Sequence, residues 1–581
     1  MRRLVVLLLL ALPARAEIVV HENAQKLEIS SPGPFVRTSD RSILGATESG
    51  IARSRDEGHS WEDVRMFDPV RFQPGNERAL LRTKDGVVFF AFLNLRERTY
   101  AWDQGKGGPQ DNCRLPVYVS RSSDDGKTWD APRLLQEGWS GAVRQMIQLK
   151  TDRILLVCQK ALRNPGRHVT IVYASDDRGR TWVPSDPIDL GEYGGYGEQG
   201  SGLDGTILEK QDGGLVLSLR TRQGCFQEML SGDAIHWTGN TPSTVEASDA
   251  PGMMLRLASG RVVMVWNRYI DPMMKAGGRQ RLSIAFTHND GVTWTVPQVL
   301  AAGVADAGAK GPPPDVSSPY VFESTPGNLW ITTLRGGLRV SVRESDWLHP
   351  VRDPLDAVTC KIITLGDSIT RGVRPTVRPN ESFSALLQGA LRRSHPEVQV
   401  HGVGIGFERT DLALRRLQQD VIEQRPDLVT IMYGTNDSYV DVGKVSGRIT
   451  AEAYEANLRE IVTRLRRANI QPVLMTEPMF GEAFPKNSVG ENVNAPLGRF
   501  MDLCRKVATE MDVPLVDHFA GWAAAQKQGQ TLQTWTSDGC HPNVAGHAEM
   551  AERMSRVLRP IIEQTVARNP RGPEAKGTGT R

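Results

Sequence analysis

The sequence predicts two joined domains of different class: an all-β six-bladed propeller, then an α/β domain. Three observations carry this. A short Asp-Gly-Trp phrase returns five times between Ser54 and Trp294. Six turn-then-strand phrases accompany it. After Trp347 the texture changes to alternating strand and helix patterns. The chain has 581 residues, too many for one ordinary core. Charged residues make up 24%, the net charge is +3 and the mean hydropathy is −0.34. That near balance gives no electrostatic basis for a nucleic-acid or anionic-membrane partner.

The first residues read as a targeting signal. Arg2-Arg3 form a basic region, Leu4 to Leu12 an apolar run, and Ala14-Arg15-Ala16 a small-x-small cleavage site. Residues 1–16 are therefore expected to be a signal peptide, and the chain from Glu17 to be exported to the periplasm or beyond the cell. The apolar run is too short to span a bilayer, and no later stretch has the length and apolarity of a membrane helix. Cys113, Cys158, Cys225, Cys360, Cys504 and Cys540 show no zinc spacing, so no metal or cofactor is expected. Their pairing cannot be deduced from sequence. Domains of this size fold without staples, which favours buried free thiols.

The recurring phrase is "SRDEGHSW" at Ser54, "SSDDGKTW" at Ser122 and "SDDRGRTW" at Ser175. A short copy, "SGDAIHW", starts at Ser231, and "THNDGVTW" starts at Thr287. The starts lie 68, 53, 56 and 56 residues apart, a repeat architecture. Its residues have mechanical roles. The Asp accepts backbone N–H groups across a turn, the Gly supplies positive φ, and the Trp packs against the neighbouring repeat. The strand phrases are "TSDRSILGA" from Thr38, "TKDGVVFFAF" from Thr83, "KTDRILLVC" from Lys150, "KQDGGLVLSLR" from Lys210, "LASGRVVMVWN" from Leu257 and "STPGNLWITT" from Ser324. Six such units close into a six-bladed propeller.

These phrases resemble the sialidase (BNR/Asp-box) family over residues 17–348. The resemblance implies a sialidase-like propeller. A sialidase site combines an arginine triad on the substrate carboxylate, a Tyr-Glu nucleophile pair and an Asp acid/base; bidentate guanidinium groups suit a buried carboxylate. The match is poor here. The usual Phe-Arg-Ile-Pro phrase is absent, and "NERALLRT" from Asn76 stands in its place. Arg78, Arg220 and Arg335 are candidates for the triad. Asp103 or Asp111 is a candidate acid, and Asp204 or Glu198 a candidate partner for a tyrosine such as Tyr320. Each also reads as a solvated or strand-end polar residue.

Residues 349–358, Pro- and Asp-punctuated, read as a linker, and 566–581 as a disordered tail. Between them, in 359–565, strands are predicted at Cys360–Leu365, Val398–Val403, Leu428–Tyr433, Pro472–Met475 and Pro514–Val516. Amphipathic helices are predicted at Phe383–Arg393, Leu412–Glu423, Ala451–Ala468, Leu497–Met511 and Ala545–Ile562. Alternation implies a parallel sheet covered on both faces, with ligands at the carboxyl ends of its strands.

"TLGDSITRG" puts Ser368 just past the first strand. A serine hydroxyl needs a base to become a nucleophile. "SDGCHPN" offers His541 with Asp538 three residues before it, both on one loop. "HGVGIGFERT" offers the Gly404 N–H and "MYGTNDS" the Asn436 amide as oxyanion donors, beside the Ser368 N–H. These motifs, in this order, resemble the SGNH (GDSL-type) hydrolase family over Thr359 to Thr565. The resemblance implies a flavodoxin-like α/β fold, with Ser368 as nucleophile, His541 as base, Asp538 orienting it, and Gly404 and Asn436 completing the oxyanion hole. Phe407 stands where the family often has Gly, which suggests a narrowed acyl pocket.

The expected function is an exported esterase removing acyl groups, acetyl foremost, from carbohydrate. Its partner is an acylated glycan or small acyl ester. Three other readings stay open: a bifunctional sialidase and sialate O-acetylesterase, a propeller that only binds glycan, and a lipid acyl hydrolase.

Overall fold

A computed structural model describes residues 16–103, 105, 107–191, 203–268, 278–305, 311–349, 358–396 and 398–568. Among the described residues six antiparallel sheets, five of four strands and one of five, form the N-terminal domain, spanning Phe35–Val64, Pro74–Gln136, Val143–Pro184, Leu203–Glu246, Met253–Ala305 and Ser317–Arg343. Each predicted strand phrase is a turn followed by the second strand of a blade, the most apolar position. Val88–Asn94 and Val262–Asn267 are buried along their whole length. The sixth blade has only three strands of its own. Ala24–Lys26 supplies its outer strand, pairing with Val340–Val342, and Ala16–Val20 adds a fifth strand to the blade before it. The N-terminal segment thus closes the ring.

Each Asp phrase follows the third strand of its blade. Asp56 accepts the Ser60 N–H at 2.9 Å and hydroxyl at 2.6 Å, and Asp124 and Asp177 repeat this with Thr128 and Thr181. Gly126, at φ +79°, packs so closely on Leu44 of the preceding blade that a Cβ would collide with it. Trp182 meets Phe89 of the preceding blade edge-on at 6.3 Å. The phrase is a structural rivet between blades.

The C-terminal domain holds five parallel strands, β1 (Cys360–Gly366), β2 (Val398–Gly402), β3 (Leu428–Met432), β4 (Gln471–Thr476) and β5 (Leu515–Asp517), in the order β2-β1-β3-β4-β5. Alternation sends Ile363, Leu365, Val429 and Ile431 to one core and Ile362, Leu428 and Met432 to the other. Helices Thr410–Asp420, Ala451–Arg467 and Asn494–Glu510 cover the first face; Phe383–Arg392 and Val544–Arg568 cover the second. A helix at His518–Lys527 was not expected from sequence. It buries only His518 and Trp522, too narrow an apolar stripe to show as periodicity. The last helix runs to Arg568, into the segment expected as a tail; the rest of that tail, most of the expected linker and residues 1–15 lie outside the described residues. Among the described residues no helix is long and apolar enough to cross a membrane. All six cysteines are free thiols, five of them buried.

The domains touch through the fifth blade. Thr293 donates to Asp420 at 3.1 Å, Val296 N–H to the Gln424 side chain at 2.9 Å, and His401 to the Trp294 carbonyl at 2.9 Å. Val296 is buried in the hydrolase-side core itself.

Candidate active site

Strand β1 ends at Gly366. Asp367 then caps the single helical turn Ser368–Arg371 by accepting the Ile369 N–H at 2.9 Å. This lifts half-buried Ser368 onto the carboxyl edge of the sheet. Its Oγ lies 2.9 Å from His541 Nε2, and His541 Nδ1 lies 2.7 Å from Asp538 Oδ2. Asp538 Oδ1 accepts the N–H groups of Cys540 at 3.0 Å and His541 at 2.8 Å, so one carboxylate fixes both the loop and the ring. The Nδ1 proton therefore faces the carboxylate, and Nε2 is left as the acceptor toward the serine.

Burial, with the nearby Arg374 guanidinium, holds His541 below its ordinary value of 6.5, against the pull of Asp538. Burial tends to raise the Asp538 pKa, but the hydrogen bonds from the His541 backbone and ring prevail and lower it. A neutral imidazole beside an ionised carboxylate is ready to take a proton.

Opposite this relay lie donors with spare capacity. Among the described residues no acceptor takes the Ser368 or Gly404 N–H. Gly404 packs on Asp367 and Arg371 so tightly that any Cβ would collide with their backbone. Asn436 Nδ2 gives one proton to Asp367 Oδ2 at 2.8 Å, while Arg448 donates to its Oδ1 at 3.1 Å. Among the described residues no acceptor takes the second amide proton, and both clamps set where it points.

The GDSL-like Lipase/Acylhydrolase family model matches residues 364–549, and that for the BNR repeat-like domain matches residues 45–331. The C-terminal domain is a GDSL-type acylhydrolase. The acetylxylan esterase of Geobacillus stearothermophilus is 28% identical over 215 residues, covering 34% of this chain and 93% of that protein. Thioesterase 1/protease 1/lysophospholipase L1 of Escherichia coli K12 is 26% identical, covering 35% and 84%. The sialidase of Micromonospora viridifaciens is 23% identical over 402 residues, 64% of this chain and 56% of that protein, so the chain spans little more than half of that relative. A solved acetyl xylan esterase is similar at a TM-score of 0.30 and 24% identity, covering 34% of this chain and 99% of that one.

Behind the acylhydrolase strand ends, Asp367, Asp437 and Glu477 are buried together. Burial, reinforced by Asp437, pushes Asp367 up to about 7; burial pushes Asp437 up to about 6. Burial and the two aspartates push Glu477 well above the carboxylate range. The loop after β2 is braced separately: Tyr433 donates to Glu408 at 2.6 Å, and Arg416 bridges Glu408, Asp420 and the Val403 carbonyl. Sequence reasoning missed Arg374, Arg448 and Glu477, which no local pattern marks. Asp367 lay inside the quoted motif. Phe407, expected to narrow an acyl pocket, is instead 79% exposed.

The propeller candidates fare differently. Arg78 does not join a triad: it is fully buried, and its Nε donates to the Gly33 carbonyl at 3.2 Å. Arg220 bridges Asp204 at 3.0 Å and Asp249 at 2.7 Å, and Arg335 lies 3.8 Å from Asp315. Both sit beside Arg279, which sequence reasoning missed; burial first, then these neighbours, lowers its pKa. Tyr320 does not pair with Asp204. It is buried, donates to the Arg78 carbonyl at 2.9 Å, and lies under Arg144, which is bound to Glu77 at 3.0 Å. Asp111 is 95% exposed at its side chain and paired with Arg163, and Asp103 accepts the Gly105 N–H within a small hairpin. Glu198 lies outside the described residues.

Proposed function

We propose that this protein is an exported serine esterase that removes acyl groups, acetyl foremost, from carbohydrate, with the propeller holding the glycan. The observation that carries the chemistry is the unbroken relay from Ser368 through His541 to Asp538, at 2.9 and 2.7 Å. His541 Nε2 takes the Ser368 proton as Oγ attacks the ester carbonyl. The oxyanion is met by the N–H groups of Ser368 and Gly404 and by the free Asn436 amide proton. His541 returns its proton to the departing sugar hydroxyl, leaving an acyl-serine. Water, deprotonated by the same nitrogen, releases the acid and restores the serine. Asp538 stays ionised throughout and fixes the ring.

Two likenesses support the carbohydrate substrate: an acetylxylan esterase along almost its whole length, and a sialidase over 64% of this chain. Export rests on the basic-apolar-small pattern of residues 1–16. A second reading, in which the propeller also cleaves an acidic sugar, is favoured by the grouping of Arg220, Arg279 and Arg335. Two of its arginines are already matched by carboxylates, which weakens it.

The test is acetate release from O-acetylated glycans, neutral and sialylated, by wild type and Ser368→Ala. Release by wild type alone supports the esterase reading. Release of free acidic sugar by both proteins supports the second. Turnover confined to long-chain esters would replace the carbohydrate reading with a lipid one.

A further inference from the structure

The loop after β2 makes a tight turn in which the Glu408 N–H donates to the Ile405 carbonyl at 3.3 Å. Gly406 occupies its second position and Phe407 its third, at φ +62°. A left-handed third position is the place a glycine fills, and a bulky side chain is strained there. The order Gly-Phe thus puts the permissive residue one place too early. The Phe407 side chain gains no burial that would offset this strain. Among the described residues Phe407 is 79% exposed, against 43% for Tyr100, the next most exposed of Phe, Tyr and Trp.

The backbone that carries Phe407 is nevertheless held on both sides. Gly404, three residues before it, is wedged on Asp367 and Arg371. Glu408, next to it, is gripped by Arg416 and the Tyr433 hydroxyl. Thr410, three residues after it, donates its N–H at 3.0 Å and hydroxyl at 2.6 Å to Asp437, the neighbour of Asn436. The first and third of these anchors, at Asp367 and Asp437, belong to the strand ends that carry the oxyanion donors. An aromatic side chain on a fixed backbone is therefore presented to solvent at the rim of the site. Beside it Arg409 and Asp411, partly buried and joined at 3.0 and 3.1 Å, offer a planar donor and acceptor. Strain held at an exposed residue beside a reacting centre points to a ligand contact.

We propose that Phe407 is the platform of a sugar subsite: a pyranose ring lays its C–H face on the aromatic ring while its acyl group reaches Ser368. This rests on the carbohydrate reading above. The negative π-face suits the positive C–H edges of a sugar, and an aromatic side chain on an anchored backbone has few torsions to lose on binding.

The test uses the full chain with Phe407→Ala, Phe407→Gly and Phe407→Trp. It compares kcat/KM on an O-acetylated oligosaccharide with kcat/KM on p-nitrophenyl acetate and p-nitrophenyl octanoate, and it reads Tm. The oligosaccharide-to-acetate ratio is expected to fall about tenfold in the Ala and Gly variants, through KM, and to return with Trp. Phe407→Gly is also expected to raise Tm, because the strain is relieved. An unchanged ratio overturns the proposal. So does a loss on the octanoate ester as large as on the sugar, which would assign the ring to the acyl chain. A lower Tm in Phe407→Gly would show that the ring supports the fold, and would overturn it too. If wild type cleaves the nitrophenyl esters but no glycan, the carbohydrate reading fails and the subsite with it; glycan cleavage with an unmoved ratio sinks the subsite alone.

Discussion

The axis of the propeller and the edge of the hydrolase sheet are both dense in polar groups, yet only one is poised to react. At the propeller axis most charges already have partners: Arg144 has Glu77, Arg220 has Asp204 and Asp249, and the Tyr320 hydroxyl is spent on a backbone carbonyl. At the sheet edge the bonds are arranged so that one capacity remains at each group. Asn436 keeps an amide proton, Gly404 and Ser368 keep their N–H groups, and His541 keeps the nitrogen that faces the serine. An active site differs from a structural network less in its residue types than in where the unspent hydrogen bonds point.

The contrast breaks most sharply at the relay. Ser368→Ala and His541→Gln are each expected to lower kcat on any ester by about 10⁴-fold or more with Tm unchanged. Ester turnover within tenfold of wild type would move the chemistry elsewhere. Asn436→Ala is expected to cost about 10²–10³ in kcat with little change in KM, the signature of a transition-state donor. Arg448→Met, which frees the other end of that amide, is expected to cost about tenfold in kcat, with Lys recovering part of it. A pure KM effect would assign Arg448 to substrate binding instead.

On the propeller side the prediction is opposite in kind. Arg220→Met leaves two carboxylates facing each other, so it is expected to cost about 3 kcal/mol of stability and leave ester kcat/KM within twofold. Loss of a glycosidase activity with stability intact would turn that network into a site.

The pH behaviour sharpens the same comparison. Since His541 must be neutral to act and its pKa is lowered, the acid limb of kcat/KM is expected below pH 6.5. Arg374→Met removes a charge that depresses that pKa, and should move the limb upward by about half a unit. The smallest effect concerns Glu477. Its folded pKa is raised above the ordinary 4.5, so the folded chain holds a proton that the unfolded chain has released. The stability it contributes is full below that ordinary value and is lost as pH rises toward the raised one. Glu477→Gln should flatten the fall in Tm between pH 4 and 8; an unchanged slope would mean the group is ionised in the fold.

Much of this was legible in the sequence, for separable reasons. Repeat spacing and strand phrases gave six blades, because each phrase encodes a turn and a central strand. The ring closure by Ala16–Val20 and Ala24–Lys26 was not legible, since it pairs residues some 300 apart with no pattern of their own. Ser368, Asp538, His541, Gly404 and Asn436 stand out because strand-end motifs carry them, and the fold brings them together. Arg448 and Arg374 act through loop geometry that only the folded chain defines. Arg78 misled because an arginine beside a strand looks the same in sequence whether it faces a ligand or the gap between blades.

The contact between the fifth blade and Asp420 has a practical corollary. Asp420 also binds Arg416, which holds the Val403 carbonyl and Glu408 on either side of Gly404. The propeller is thus bolted to the scaffolding of the oxyanion loop, while Val296 plugs the hydrolase core. Cutting the chain between the two domains would strip a bracket from the catalytic loop and open a gap in the core. A weak excised hydrolase would therefore report the missing mount, and would say nothing about whether the propeller touches substrate.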